Sequence, residues 1–413
     1  MWRKKVYILT HNTGIFVKKL AIIGTTGLPA KYGGFETLTN YLTIHLNKKF
    51  DVSVYCSSKY FAAKGQRRKE CNGSKLIYLP LNANGYQSIV YDILSIFHAL
   101  FYADVLLLLG VSGAIILPFV KLFSSKPVIV NIDGQEWKRA KWNFIAKKFL
   151  RYSEKLAVKY ADTVITDNKV IKDYVQNVYN KDSALIEYGG DHAKRKEITS
   201  DARVKYPFLC SPYAFTVCRI EPENNVQYIL EAYANSPHKT IVVVGLWDHG
   251  KFGMELRKYY ENHSNIILLD PIYNTEELDV LRSNAEVYLH GHSAGGTNPS
   301  LVEAMCLGLP VFAYGVSYNR ETTKNKAFYF NNVKELEHLI DTVTKNELVT
   351  CGKNMLDLGA EKYSWSRIAA CYFNEIMMLI NIPAELLAER VRMQQERTIK
   401  IYLPTEKESE AIG

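Results

Sequence analysis

The sequence predicts an α/β chain made of two doubly wound domains, each a parallel sheet with helices on both faces. Short apolar strand patterns alternate with segments of helical spacing. The alternation stops in a polar stretch around 191–212, which holds Lys194, Arg195, Lys196, Pro207 and Pro212, and then restarts. Glycine-bearing loops follow strands in both halves, which places a ligand cleft between them. A length of 413 residues suits two domains, and 47% hydrophobic with 23% charged residues is an ordinary globular composition.

The first half opens on a buried strand at 20–24 that runs into a glycine loop. A helix over 36–48 follows, its apolar face set by Leu38, Tyr41, Leu42, His45 and Leu46. Further strands are expected at 52–55, 76–79, 105–109, 128–130 and 164–165, with helices over 89–102, 143–160 and 169–178. The uncharged run 105–120 is punctuated by Gly110, Ser112, Gly113 and Pro118, and it is shorter than the roughly 20 residues that span a bilayer. It reads as a strand, a turn and a short helix. The second half gives strands at 213–217, 240–244, 266–269, 287–289 and 310–313, with helices over 225–235, 276–282 and 299–307. A last helix over 364–382 precedes a charged tail. The expected domains are 1–195 and 205–363, with the tail at 383–413.

Charge is unevenly divided. Up to Lys205 there are 32 Lys and Arg against 16 Asp and Glu, and beyond Pro207 there are 19 against 26. Nucleic acid, an anionic membrane or a phosphorylated lipid suits the basic half, as does a merely solvated surface. The basic run Lys138, Arg139, Lys141, Lys147, Lys148 and Arg151 is where weak, salt-sensitive attraction to a membrane is expected. The seven cysteines form no Cys-x-x-Cys pair, so free thiols in a reducing compartment are expected. The first residues break their apolar runs at His11 and Asn12, which argues for a cytoplasmic protein, peripheral at most on the inner face of the membrane.

Four segments carry candidate chemistry. The loop 24–36 follows a strand and precedes a helix, so the Gly33 and Gly34 amides can close on an anion; a plain turn is the structural alternative. It lacks the G-x-G-x-x-G of a dehydrogenase. The loop 290–305 places Pro299 where a helix begins, and the free amides there suit a diphosphate. Gly295, Gly296, Thr297, Asn298 and Ser300 are the expected donor contacts, Glu303 the partner of ribose hydroxyls, and His292 a sugar or phosphate contact. His290 and His292 have metal-ligand spacing but no carboxylate cluster beside them. Arg219 ends a strand at the cleft, where it can neutralise a departing diphosphate or pair with Glu221 or Glu223; Asn224 shares its loop. Asp133 and Glu136 end another strand and suit sugar hydroxyls and acid–base work, or an Asp turn and helix cap. No Asp-x-Asp is present, so no metal and no other cofactor is expected.

Together these segments resemble the family-four glycosyltransferases of bacterial polysaccharide assembly, most closely the capsular rhamnosyltransferase type. The likeness rests on 31–36 (Lys-Tyr-Gly-Gly-Phe-Glu), 133–139 (Asp-Gly-Gln-Glu-Trp-Lys-Arg), 219–225, 295–305 and 319–323 (Asn-Arg-Glu-Thr-Thr). It runs from about Lys19 to about Ile382. The resemblance implies a GT-B fold of two Rossmann-like domains, a retaining reaction without metal, and a final helix around Trp365 that crosses back to complete the first domain. It implies catalytic roles for Asp133, Glu136 and Arg219, and acceptor contacts at Tyr32, Glu36, Trp137 and Arg139. The implied partners are a nucleotide-diphosphate sugar and a polyprenyl-diphosphate-linked glycan, with no nucleic acid. Broad members of the family carry a glutamate where Gly295 stands and a lysine where Asn224 stands. Both departures fit a 6-deoxy donor such as dTDP-L-rhamnose. A UDP- or GDP-linked donor, a nucleotide-sugar epimerase and a non-catalytic scaffold of the same fold stay open.

Overall fold

The computed structural model describes residues 17–30, 33–61, 67–139 and 142–381. Expectations that fall on 1–16, Lys31, Tyr32, Lys141 and the tail 383–413 lie outside the described residues.

The first sheet contains β1 (Lys19–Ile23), β2 (Asp51–Ser57), β3 (Glu70–Cys71), β4 (Ser74–Leu79), β5 (Val105–Leu109), β6 (Val128–Asn131), β7 (Thr163–Thr166) and β8 (Ala184–Leu185). They lie in the order β3-β4-β2-β1-β5-β6-β7-β8. All pairs are parallel except the β3–β4 hairpin. That hairpin turns at Asn72 and Gly73, both at positive φ (51° and 74°), the combination a tight hairpin turn demands. The second sheet has β9 (Ala214–Val217), β10 (Ile241–Val244), β11 (Ile266–Leu269), β12 (Val287–His290), β13 (Val311–Tyr314) and β14 (Phe328–Phe330). Its order is β11-β10-β9-β12-β13-β14, parallel throughout. Strand order therefore reverses between β1 and β5, and again between β9 and β12. Loops diverge at such points and leave a crevice at the strands' carboxyl ends.

The helices are α1 (Gly34–Leu46), α2 (Gln87–Tyr102), α3 (Leu117–Phe123), α4 (Phe144–Tyr160), α5 (Lys169–Tyr179), α6 (Ser200–Lys205), α7 (Val226–Asn235), α8 (Lys251–Tyr260), α9 (Thr275–Ser283), α10 (Pro299–Cys306), α11 (Ser317–Thr322), α12 (Val333–Thr342), α13 (Lys345–Lys362) and α14 (Trp365–Ile380). Both faces of the first sheet are covered, so its strands are apolar without alternation; every residue of β5 is buried. Leu107 and Leu109 face α1 and α14, while Leu106 and Leu108 face α2, α3 and α4.

Several elements exceed the sequence expectation. β3, β8 and β14 are too short to stand out from loops. Helices α8, α12 and α13 were not expected either. In α13 the buried apolar set is only Cys351, Met355 and Leu358, a narrow stripe interrupted by Gly352 and Gly359. Those glycines are there for close packing: a Cβ on Gly352 would stand 2.7 Å from the Gly308 carbonyl oxygen, and one on Gly359 would stand 3.0 Å from Cys306 Cα.

Helix α14 returns to the first domain and packs along α1. Its buried face joins one core with the first sheet and with Leu301, Val302 and Met305 of α10, so this core crosses between the domains. Trp365 begins α14. Its ring stacks on Tyr41 at 4.7 Å, and its Nε1 donates to His192 Nδ1 at 2.9 Å. A side chain on Gly189 would run into the same ring. Truncation of a buried tryptophan typically costs about 3–5 kcal/mol. Trp365→Ala should therefore lower the unfolding free energy by an amount in that range and shift the urea midpoint down accordingly, followed by circular dichroism. A midpoint within error of wild type would contradict the anchoring role.

Candidate active site

Four loops at the carboxyl ends of β1, β6, β9 and β12 meet in the crevice. The loop after β1 is built on glycines. Gly24, Gly27 and Gly33 have φ of 94°, 114° and 124°. A Cβ on Gly24 would strike the Leu109 carbonyl, so β1 and β5 could not otherwise lie this close. Glu36, in the first turn of α1, is buried and accepts from Thr26 N (2.7 Å), Thr26 Oγ1 (2.8 Å) and Thr25 Oγ1 (3.2 Å). Its carboxylate clasps the loop. Glu36, expected as an acceptor contact, here positions the loop through Oε1. Gly34 faces Tyr188 Oη and Pro299 Cγ, which brings α1 to the start of α10.

After β6, Asp133 Oδ1 accepts from Gly134 N at 3.1 Å, and the side chain stays 39% exposed. Burial raises its pKa above the usual carboxylate range. Arg139 and Arg219 oppose that shift, and the Glu136 charge adds to it. Glu136 is held more tightly: Arg139 Nε lies 2.8 Å from Oε2, and Trp142 Nε1 donates to Oε1 at 3.1 Å. Glu136 fixes Arg139, which reaches Asp133 at 3.9 Å. Asp133 is the open carboxylate of the pair. Trp137 packs into the core under α4, with Arg151 5.3 Å and Lys138 5.5 Å from its ring centroid. Trp137, expected as an acceptor contact, is partly buried against this core.

After β9, the Arg219 side chain is 42% exposed and pairs with Glu221 at only 3.8 Å. Asn224, expected to touch the donor, is buried and donates from Nδ2 to the Arg219 carbonyl at 2.7 Å. It holds the arginine's backbone. This loop is tied to the one after β12. Asn225 Nδ2 donates to Gly291 O at 2.8 Å, and Ser293 donates from N and Oγ to Glu223 O at 2.8 and 2.9 Å.

After β12, His290 is fully buried and its ring nitrogens have no partner; burial pulls its pKa down to about 3, so it is neutral. His292 stacks on it at 4.4 Å. Burial, His290, Arg219 and Arg139 hold its pKa well below the ordinary value. Asn319 Nδ2 donates to the His292 carbonyl at 2.9 Å. Asn298 caps α10, accepting from Ser300 N (3.1 Å) and Ser300 Oγ (2.9 Å), and Pro299 sits in the first turn. Gly295 has φ 127°, and a Cβ there would meet open space.

Glu303 departs most from expectation. Its Oε2 pairs with buried Arg282, and its Oε1 lies 3.0 Å from His192 Nε2. Burial favours the protonated form, but Arg282 and then His192 outweigh it and pull the pKa down to about 2. Arg282 is itself braced by Asp279 at 2.8 Å. The carboxylate expected to wait for ribose is already fixed in an ion-pair network.

The two domains touch at the crevice. A Cβ on Gly134 would stand 2.6 Å from Gly295 C and 2.8 Å from Gly296 N. Thr297 Oγ1 donates to the Asp167 carbonyl, Asn168 Nδ2 lies 3.4 Å from Thr297 Oγ1 and from the Tyr318 carbonyl, and Tyr318 Oη donates to Gln135 Oε1 at 3.3 Å. Asp167, Asn168, Gln135 and Tyr318 were missed from sequence; for Asp167 and Asn168 the signal lay in the strand end at 164–168. Asp167 is buried, and its Oδ1 has no partner. Among the described residues no group of three or more His, Cys, Asp or Glu is placed to hold a metal ion, and no helix is long and apolar enough to cross a membrane.

Comparison with known proteins divides the chain the same way. Residues 17–191 match a family described as a domain of unknown function, DUF1972, and residues 201–364 match the family described as glycosyl transferases group 1. The O-antigen chain mannosyltransferase RfbU of Salmonella typhimurium is 22% identical over 215 residues, 49% of this chain and 59% of that protein. The chain thus spans about three fifths of the length of this curated relative. Sucrose-phosphate synthase from Thermosynechococcus elongatus superposes with a TM-score of 0.73 at 16% identity, covering 89% of this chain and all (100%) of that one. Anabaena HepE in complex with UDP-glucose gives 0.69 at 15% identity, covering 87% and 99%. The fold is that of these two-domain GT-B proteins.

Burial, then the charges of Asp133 and Glu187, hold the Asp167 carboxyl well above its usual range, opposed by hydrogen bonds from the Thr297 and Asp167 amides. A carboxyl raised on folding costs stability at any pH above the ordinary value of about 4, and costs nothing below it. Asp167→Asn should therefore match wild type in melting temperature at pH 4 and gain on it as pH rises to 8. An offset independent of pH would contradict the raised carboxyl.

Proposed function

We propose that this chain, whose residues 201–364 form a group 1 glycosyl transferase domain, moves a sugar from a nucleotide diphosphate onto a lipid-linked oligosaccharide in cell-surface polysaccharide synthesis. The observation that carries the reading is the juxtaposition of the Asn298-capped start of α10 with Asp133 and Arg139 across the crevice, where Gly134 meets Gly295 and Gly296. One side offers an anion site and the other a carboxylate. A relative named as an O-antigen mannosyltransferase and a similar fold that holds UDP-glucose support the same reading.

In this mechanism the diphosphate sits against the backbone at Gly295 and Gly296, beside the start of α10, and against Arg219, whose guanidinium is 3.8 Å from Glu221. Glu303 is preset by Arg282 and His192, and each carboxylate oxygen keeps a further lone pair for ribose hydroxyls. Asp133 orients the acceptor hydroxyl. The acceptor oxygen bonds to the anomeric carbon on the face from which the phosphate leaves, and a phosphate oxygen takes the proton, so configuration is retained. Arg219, backbone amides and the α10 terminus carry the negative charge without a metal ion.

The donor we favour is dTDP-L-rhamnose. The family's usual glutamate is absent at Gly295, and among the described residues nothing lies within 4 Å of where its Cβ would stand. A 6-deoxy sugar needs no hydroxyl partner there. The reaction would take place at the cytoplasmic side of the membrane. A thermal-shift screen across nucleotide sugars ranks the donors, because a ligand that binds only the folded state raises the midpoint.

Arg219→Ala should reduce turnover about a hundredfold, the usual effect of losing one donor to a departing charge. Its melting temperature should stay near wild type, since the side chain is half exposed. More than half the wild-type turnover would refute the role. Activity should also survive dialysis against excess EDTA. Loss that magnesium or manganese restores would overturn the metal-free mechanism.

A further inference from the structure

The outer face of the first domain is apolar where a solvated helix layer is ordinarily polar. Helices α2, α3 and α4 cover the same side of the sheet, because their inner faces share one core. They adjoin one another: Phe97 of α2 lies 6.3 Å from Phe119 of α3, and Asn143 Nδ2, at the start of α4, donates to Tyr86 Oη, at the start of α2, at 3.2 Å. Helix α2 is apolar on both sides. Tyr91, Ile96 and Ala99 are buried beneath it, while Leu94 and Phe101 stand in solvent, Phe101 at 88% exposure. Helix α3 adds Leu122 and Phe123, the latter 70% exposed, and α4 adds Phe144 and Ile145, the latter 77% exposed. A contiguous apolar face of this kind marks an interaction surface.

The charge beside it has one sign. Phe144, Lys148, Arg151, Tyr152 and Lys155 follow the spacing of one helix side, and Lys148 Nζ stands 4.4 Å from the Phe144 ring centroid. The carboxylates of these helices are turned inward. Asp92 of α2 is buried, and Glu154 of α4 is buried and accepts from Tyr174 and Tyr179 at 2.7 Å. Arg139 of the basic run is instead drawn into its pair with Glu136. The exposed basic side chains of α4 are therefore Lys148, Arg151 and Lys155, with Lys138 exposed ahead of the helix.

We propose that the α2–α3–α4 face seats the protein on an anionic lipid surface, with Leu94, Phe101, Leu122, Phe123, Phe144 and Ile145 entering the headgroup–acyl boundary and Lys148, Arg151 and Lys155 pairing with lipid phosphates. Apolar side chains next to a basic stripe are the composition of an interfacial binder. A second copy of the chain fits this face less well. A twofold interface sets the same patch against itself, which would oppose the basic stripe to its own image. On this proposal an apolar contact that survives screening adds to the expected salt-sensitive attraction. The α4 stripe follows directly on the Asp133–Arg139 loop, so a lipid-linked acceptor would reach the crevice from the same side. The inference rests on the proposed function only for that acceptor. Lipid binding is measured without donor or acceptor, so its failure leaves glycosyl transfer standing.

The test is sedimentation of the full chain with vesicles of phosphatidylcholine, alone or mixed with phosphatidylglycerol, at low and high salt. Wild type should partition onto the anionic vesicles about tenfold or more over neutral ones at low salt, and keep measurable binding at high salt. Leu122→Gln/Phe123→Gln, and independently Phe101→Gln, should lose the high-salt binding. Lys148→Glu/Lys155→Glu should lose the anionic preference. All four side chains of the double variants are exposed, so melting temperatures should match wild type. Absence of binding to anionic vesicles, or apolar variants that bind as wild type does, would overturn the proposal. So would a wild-type dimer in sedimentation velocity that Leu122→Gln/Phe123→Gln converts to monomer.

Discussion

The molecule depends on a backbone-to-backbone contact between Gly134 of the first domain and Gly295 and Gly296 of the second. At 2.6 Å from Gly295 C, a Cβ on Gly134 has no room, and one on Gly296 would run into the Asp167 carboxylate. Any larger residue at these places would push the domains apart. The strand ends would then no longer face each other, and Asp133 would lose its position opposite the start of α10. The glycines of the two loops therefore matter as much for what they let approach as for the amides they offer.

Around that contact, one polar network spans both domains and the segment between them. Asp279 braces Arg282, Arg282 pairs with Glu303, and Glu303 accepts from His192. Trp365 donates to His192 Nδ1, so the other ring nitrogen, Nε2, is the one that faces Glu303. The Trp365 backbone amide donates to Asp191 at 2.9 Å. Residues 191–192 join the domains, and Trp365 opens the helix that returns to the first, so Glu303 is coupled to the elements that set the domains' relation. A buried carboxylate with paired oxygens stays ionised and rigid, which suits the ribose contact proposed for Glu303.

Much of the fold was legible in the sequence because a sheet covered on both faces writes each strand as an apolar run, and the polar seam separates two such series. Helix α13 was hidden because glycines that fit against Cys306 and Gly308 thin its apolar stripe. In the site, loop positions were legible and side-chain directions were not. Glycine pairs after strands and Pro299 marked the right loops. Whether a carboxylate turns inward or toward the crevice depends on partners distant in sequence. Glu36 turns to Thr25 and Thr26, Glu303 to Arg282 and His192, and Asn224 to the Arg219 carbonyl. Asp167 carries no motif, and only the meeting of the two domains makes it part of the site.

The central claim is that the crevice joins a nucleotide-sugar site to an acceptor site so that a glycosidic bond forms. Mass spectrometry of a polyprenyl-diphosphate-linked acceptor, incubated with the full chain and a nucleotide sugar, tests it most directly. The account predicts an acceptor heavier by one sugar residue, with one nucleoside diphosphate released for each. A nucleotide sugar that isomerises while the acceptor mass stays unchanged, or no turnover of any nucleotide sugar, would contradict it.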